Sequence, residues 1–213
     1  MGDDPGLQDQ LAARSPGLFL VAAALMAVVS GLFAAEVATG QDLEAYLGAV
    51  APAGFAVAFL GLLGRHHALA DRAPRLARGA AVVLGLGIVG GVILVIGHLG
   101  QLAGPYATQP VWVDAANVPL FLAILFGFGA YGAGSLLTGA HVLAVSLIML
   151  WPAVVFGGVV ILVATFVLGL SLPHWIHVGH SASEAVVYGA IAYRLGAAEG
   201  PTPGAAASAD SPA

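Results

Sequence analysis

The stretch GAAVVLGLGIVGGVILVIGHLG, residues 79–100, contains no charged side chain and decides the fold class. At about 1.5 Å per helical residue, it can cross roughly 30 Å of membrane hydrocarbon. A sixth candidate, 174–194, follows Pro173 and is apolar on most of its circumference. The other apolar stretches of similar length are 17–36, 46–64, 117–137 and 142–170. The sequence predicts an all-α integral membrane protein with about six transmembrane helices.

The composition of the 213 residues excludes several classes of protein. Apolar residues make up 60% of the chain and charged residues 8%, whereas about a quarter of a soluble domain is charged. Six Arg, no Lys and a net charge of −5 leave no basic surface for nucleic acid. The absence of Cys removes disulfides and thiolate metal sites. The predicted partner is the lipid bilayer, with other membrane subunits as a further candidate.

The arginines indicate how the chain is oriented. Four of the six lie in the segment RHHALADRAPRLAR, 65–78, while Arg14 precedes the first span and Arg194 closes the last. By the positive-inside rule, this segment and both termini are cytoplasmic. The bias toward Ala, Gly, Val and Arg is typical of a GC-rich prokaryotic genome, which predicts a multi-pass protein of the prokaryotic cytoplasmic membrane, the cell membrane.

The predicted domain organisation has three parts. Residues 1–16 and 197–213 are polar or rich in Ala, Gly, Pro and Ser, so both are expected to be disordered and cytoplasmic. The six-helix transmembrane domain occupies 17–196. Within it, Pro152 predicts a kink in the long stretch 142–170, or a break into two shorter helices.

Small residues along the third span predict close helix packing. Ala80, Gly87, Gly91 and His98 lie within about 40° of one another on a helix, and Gly87 and Gly91 form a GxxxG pair. This stripe should face a neighbouring helix, whereas Gly85 lies on the opposite side.

The last segment, PHWIHVGHSASEAVVYGAIAYR at 173–194, carries a polar stripe. Its polar residues fall in one arc of about 120° on a helical projection, which is expected to face the bundle interior. They are His174, His177, His180, Ser181, Glu184 and Tyr188. Trp175 and Val186 lie outside that arc.

Glu184 lies ten residues beyond His174, about 15 Å into the membrane if the helix enters at His174. No Arg lies at that depth, so the partner of Glu184 is His180, His177, a bound cation or water. The alternative is a protonated Glu held by a helix–helix hydrogen bond. An intramembrane acid generally marks a functional site.

Three chemistries fit these residues. His98, His177, His180 and Glu184 supply enough ligands for a divalent zinc or copper ion. His98 and His177, on different helices, are the candidate axial pair for one b-type haem. A path for protons or a small cation would use His174, Ser181, Glu184 and Tyr188.

Three functions follow from these chemistries. The first is a metal- or haem-binding protein of redox or metal-handling function, with its His/Glu site in the outer half of the membrane. The second is a proton- or cation-coupled small-solute transporter or permease subunit, and the third is a structural subunit of a membrane complex. The common hydrolase and nucleotide-binding motifs are absent, and the lack of Lys excludes a retinal Schiff base.

Overall fold

The structure, a computed structural model, describes residues 6–104, 110–137, 160–161, 163–164, 168–170 and 172–198. Every secondary-structure element among these residues is helical. Four helical segments are long and apolar enough to cross a membrane, namely Leu7–Thr39, Glu44–Leu63, Pro74–Leu102 and Val111–Tyr131. The all-α class and the membrane-spanning character of these four segments are therefore confirmed.

The helices follow one another with short connections. The first four are α1 (Leu7–Thr39), α2 (Glu44–Leu63), α3 (His66–Ala70) and α4 (Pro74–Leu102). The next group contains α5 (Val111–Ala115), α6 (Asn117–Leu122), a π-helical turn (Ala123–Gly127) and α7 (Phe128–Leu137). The last described helix is α8 (His174–Ala198).

Glycine and proline set several helix boundaries. Gly40 ends α1 with a φ of 68°, a left-handed conformation that favours glycine, and its N–H donates to the Glu36 carbonyl at 2.8 Å. Pro74 begins α4 at a position where the missing N–H costs no hydrogen bond. Pro173 immediately precedes α8, and its carbonyl accepts from the Ile176 N–H at 3.0 Å.

The long helices pack in a defined order. Helix α1 packs along both α2 and α8, and α4 packs along α2 and against α6 and the π-helical turn. Buried rings from four helices meet in the core, with centroids 6.2 Å apart for Phe19 and Tyr188, 6.1 Å for Tyr188 and Phe128, and 5.6 Å for Phe128 and Phe59. These rings connect α1, α8, α7 and α2.

The two ends of the bundle differ in charge. We call the end where α1 and α4 finish and α2, α6 and α8 begin the acidic end, because Glu36, Asp42, Glu44 and Asp114 lie there. The opposite end contains α3 and the segment 65–78, and we call it the arginine end. All six Arg lie toward the arginine end.

Apolar side chains are exposed along one face of α4. A bilayer would cover such a face, whereas water would destabilise it. The exposed residues are Val82, Leu86, Val89, Val92 and Ile96. This surface is compatible with direct contact between α4 and lipid.

The predicted N-terminal boundary needs correction. Helix α1 begins at Leu7, so residues 7–16 are helical, although 1–16 was expected to be disordered. The reason is tertiary, because the buried Ser15 hydroxyl donates to the Gly61 carbonyl at 2.8 Å and the start of α1 thereby packs on the end of α2. Residues 1–5 lie outside the described part of the chain.

Two other predicted segments differ from the structure or fall outside it. The stretch 117–137 is divided by the π-helical turn, which inserts an extra residue per turn, so α6 and α7 are not one regular helix. Most of the stretch 142–170, including Pro152, lies outside the described residues, as do residues 199–213 of the tail.

Candidate functional site

The polar face of α8 lies against α1. Ser30 of α1 donates to the Val178 carbonyl at 3.1 Å, and the ring of Phe33 stacks on His177 with centroids 5.0 Å apart. Trp175 and Val186, on the other side of α8, are largely exposed. The α1–α8 interface therefore holds the polar residues that the helical projection grouped together.

At the acidic end, α8 begins beside a carboxylate of α1. His174 Nδ1 lies 3.3 Å from Glu36 Oε2, and the other carboxylate oxygen accepts from the Leu43 N–H at 3.0 Å. The Glu36 side chain is only 9% exposed, whereas that of His174 is 58% exposed. The partly open imidazole thus connects the solvent side to a mostly buried carboxyl group.

Glu184 lies farther along α8 and is buried, with 2% of its surface exposed. Its Oε1 lies 3.2 Å from His180 Nε2 one helical turn earlier. This contact has the distance of an ion pair but lacks the alignment of a hydrogen bond, so Glu184 Oε1 has no hydrogen-bond partner. A proton or a water molecule has an unused acceptor at this position.

Two buried tyrosines continue the polar line toward the arginine end. Tyr188 follows Glu184 by one helical turn, and Tyr131 lies on α7. Both side chains are buried, and neither hydroxyl has a hydrogen-bond partner. Unsatisfied buried hydroxyls are uncommon because each one costs desolvation energy, and an ordered water molecule commonly satisfies them.

His98 of α4 is placed elsewhere in the bundle. It is 8% exposed, its Nδ1 lies 2.9 Å from the Leu94 carbonyl, and its ring lies directly against Gly48 of α2. His177 instead contacts Phe33 of α1. The two imidazoles proposed as axial haem ligands therefore contact different helices.

A cavity of about 920 Å³ opens at the acidic end. It is lined by residues of α1, α2, α4, α6 and α8, together with those of the α1–α2 connection. His98 and His174 both line it, so these two histidines share a cavity although they lie on separate helices. The acidic side chains of the lining are Glu36, Asp42, Glu44 and Asp114.

The predicted four-ligand metal centre is not assembled in the described part of the chain. No group of three or more His, Asp or Glu side chains among those residues is arranged to hold a metal ion. Of the predicted set, the structure brings together His180 and Glu184, with His177 one turn away, while His98 belongs to the cavity.

Reasoning from the sequence missed Glu36, Asp114 and the cavity. Glu36 was taken as the end of the first span, and Asp114 was counted only as a loop charge. One signal was present in the sequence, since Glu36, Asp42, Glu44 and Asp114 flank the spans on the side opposite the arginines. Their convergence on one cavity depends on how the helices pack.

Comparisons of the chain with protein-family models, with curated proteins and with solved structures gave no match. The functional argument therefore depends on the residues and their geometry.

Proposed function

We propose that the chain is a six-span protein of the cell membrane that moves protons along α8, coupled to the transport of a cation or small solute. The observation that carries this proposal is Glu184, a buried carboxyl group beside His180 on a helix whose first residue contacts the acidic-end cavity. Buried acids at membrane depth are typical of proton relays.

The polar line on α8 supports a proton path because its members lie at short intervals. Glu36 and His174 are 3.3 Å apart, the rings of His174 and His177 are 6.4 Å apart between centroids, and His180 and Glu184 are 3.2 Å apart. Single water molecules can bridge the wider gaps. Imidazole and carboxyl groups can each take up and release a proton, which a relay requires.

The course of the chain supports six spans. Helix α7 packs against α3, which belongs to the arginine end, and α8 begins at the acidic end beside Glu36. The chain must therefore return across the bundle between Leu137 and His174. With all six Arg toward one end, the positive-inside rule favours a cytoplasmic arginine end and cytoplasmic termini.

Proton flux into vesicles tests this function. The purified protein is reconstituted in liposomes, a valinomycin-induced potassium potential drives protons inward, and an enclosed pH-sensitive dye reports their entry. We expect Glu184→Gln to lower the flux to that of protein-free vesicles, because the amide keeps the shape of the side chain but does not titrate.

The matched control is His67→Gln, since His67 is exposed at the arginine end and lies away from α8. This variant should conduct protons like the wild-type protein, while His180→Gln should conduct less. Wild-type vesicles that acidify no faster than empty ones would contradict the proposal, as would an unchanged flux in the Glu184→Gln variant.

A further inference from the structure

The cavity at the acidic end combines a negative rim with apolar walls. Asp42, Glu44 and Asp114 are exposed around it, whereas Phe33 and Phe55 belong to its apolar lining. No Arg or Lys belongs to the lining, and all six Arg lie toward the other end of the molecule. The cavity therefore attracts a cation and also offers contact area to an apolar group.

The deeper polar groups of the cavity are hydrogen-bond acceptors. His98 Nδ1 faces the Leu94 carbonyl at 2.9 Å, so Nδ1 carries the proton, and Nε2 of the neutral ring accepts. Glu36, mostly buried, is a carboxylate when ionised and can only accept. A ligand that satisfies both groups must bring N–H or O–H donors.

The size of the cavity and its spread of acids argue against a bare metal ion. A volume of about 920 Å³ far exceeds the space that one ion fills and lies in the range of small-molecule sites. Among the described residues, no three His, Asp or Glu side chains are arranged around one metal position. The carboxylates thus act as a negative surface and do not form a coordination shell.

We propose that this cavity binds a protonated amine with an apolar body. The ammonium N–H groups donate to Glu36 and His98, and the apolar body lies against Phe33, Phe55 and neighbouring aliphatic side chains. As the transported cation, this amine would deepen the proposed function and rests on it. His174 links the two parts, because it lines the cavity and contacts Glu36 at the start of the α8 path.

Calorimetric titration of the full-length protein in detergent tests binding without a proton gradient. The probe is benzylamine, compared with benzyl alcohol, which is neutral, and benzyltrimethylammonium, which has a charge but no N–H. We expect benzylamine to bind at least about tenfold more tightly than either analogue, because only it offers both charge and N–H donors. Equal affinity for benzyl alcohol would overturn the proposal, as would calcium binding that excludes benzylamine.

Two variants test the deep acceptors. Glu36→Gln retains an oxygen for the Leu43 N–H but loses the charge, and His98→Asn retains a donor for the Leu94 carbonyl but withdraws the Nε2 atom. Each should weaken benzylamine binding by at least about tenfold. The matched control is Asp9→Asn, an exposed acid in the first turn of α1 at the arginine end, which should bind like wild type.

A third variant keeps the test decisive if a deep substitution prevents folding. Ala51→Phe narrows the cavity from α2 without changing a polar group, and it should also weaken binding. Unchanged affinity in the folded variants would overturn the amine site. Because the titration needs no proton flux, benzylamine binding in a protein that fails the flux assay would reject the transport function and keep the site. Normal flux without benzylamine binding would reject the site alone.

Discussion

Gly48 illustrates how one missing side chain positions a candidate functional residue. A Cβ atom at this position would collide with the imidazole of His98, so only glycine allows that ring to lie against α2. The resulting close approach orients Nδ1 of His98 toward the Leu94 carbonyl of its own helix. The acceptor atom offered to the cavity thus depends on a glycine of another helix.

Gly48→Ala should therefore destabilise the protein, because the added methyl group displaces a buried ring. We expect a loss of about 1–3 kcal/mol in the free energy of unfolding, the usual cost of overpacking. Thermal unfolding in detergent measures this change. Gly31→Ala is the control, since no atom lies within 4 Å of the added Cβ and alanine favours the helix. An equal melting temperature for Gly48→Ala and wild type would show that His98 moves aside without cost.

At the scale of elements, the stripe on α4 shows what helical periodicity predicts well. All of its members, Ala80, Gly87, Gly91 and His98, are buried. A Cβ at Gly87 would meet Ala123 and Phe59, and one at Gly91 would lie 3.1 Å from the Pro52 carbonyl oxygen. The stripe therefore faces both α2 and the π-helical turn, and not a single neighbour.

Leucine substitutions separate this interface from the rest of α4. Gly87→Leu and Gly91→Leu should each lower stability by about 1–3 kcal/mol or prevent folding, because no space exists for the side chain. Gly85→Leu should be tolerated, since nothing lies within 4 Å of its Cβ. Resistance to thermal aggregation in detergent distinguishes them. Similar melting temperatures for all three variants would contradict the interface.

Helix α8 shows the limit of the same reasoning. The projection grouped its polar residues correctly on one face, because that grouping depends only on the helical repeat. The helix that receives this face is α1, whereas His98 of α4 was the expected partner. Partner choice depends on packing between segments that are far apart in the chain, which periodicity does not report.

At the scale of the whole molecule, the charges divide between the two ends. All the arginines lie toward one end, while four acids surround a cavity at the other. A cytoplasmic arginine end would direct the cavity to the outside of the cell. Cations arriving from outside would then meet a negative vestibule before reaching α8.

Single cysteines test this orientation, since the chain has none of its own. A thiol at Asp42→Cys, on the exposed acidic end, should react with a membrane-impermeant maleimide on intact cells. Asp71→Cys, exposed beside α3, should react only after the membrane is permeabilised. The reverse pattern would contradict cytoplasmic termini, and labelling of both positions from outside would contradict the order of the spans.

The sequence by itself determined the properties that depend on local chemistry. Apolar length predicted the spans, and angular spacing predicted the small-residue stripe of α4 and the polar face of α8, because hydropathy and helical repeat are properties of a single segment. Only the tertiary structure decided that residues 7–16 continue α1, that Glu36 meets His174, and that His98 shares a cavity with His174 rather than a site with His177. These contacts join residues from different helices, and interhelical packing sets them.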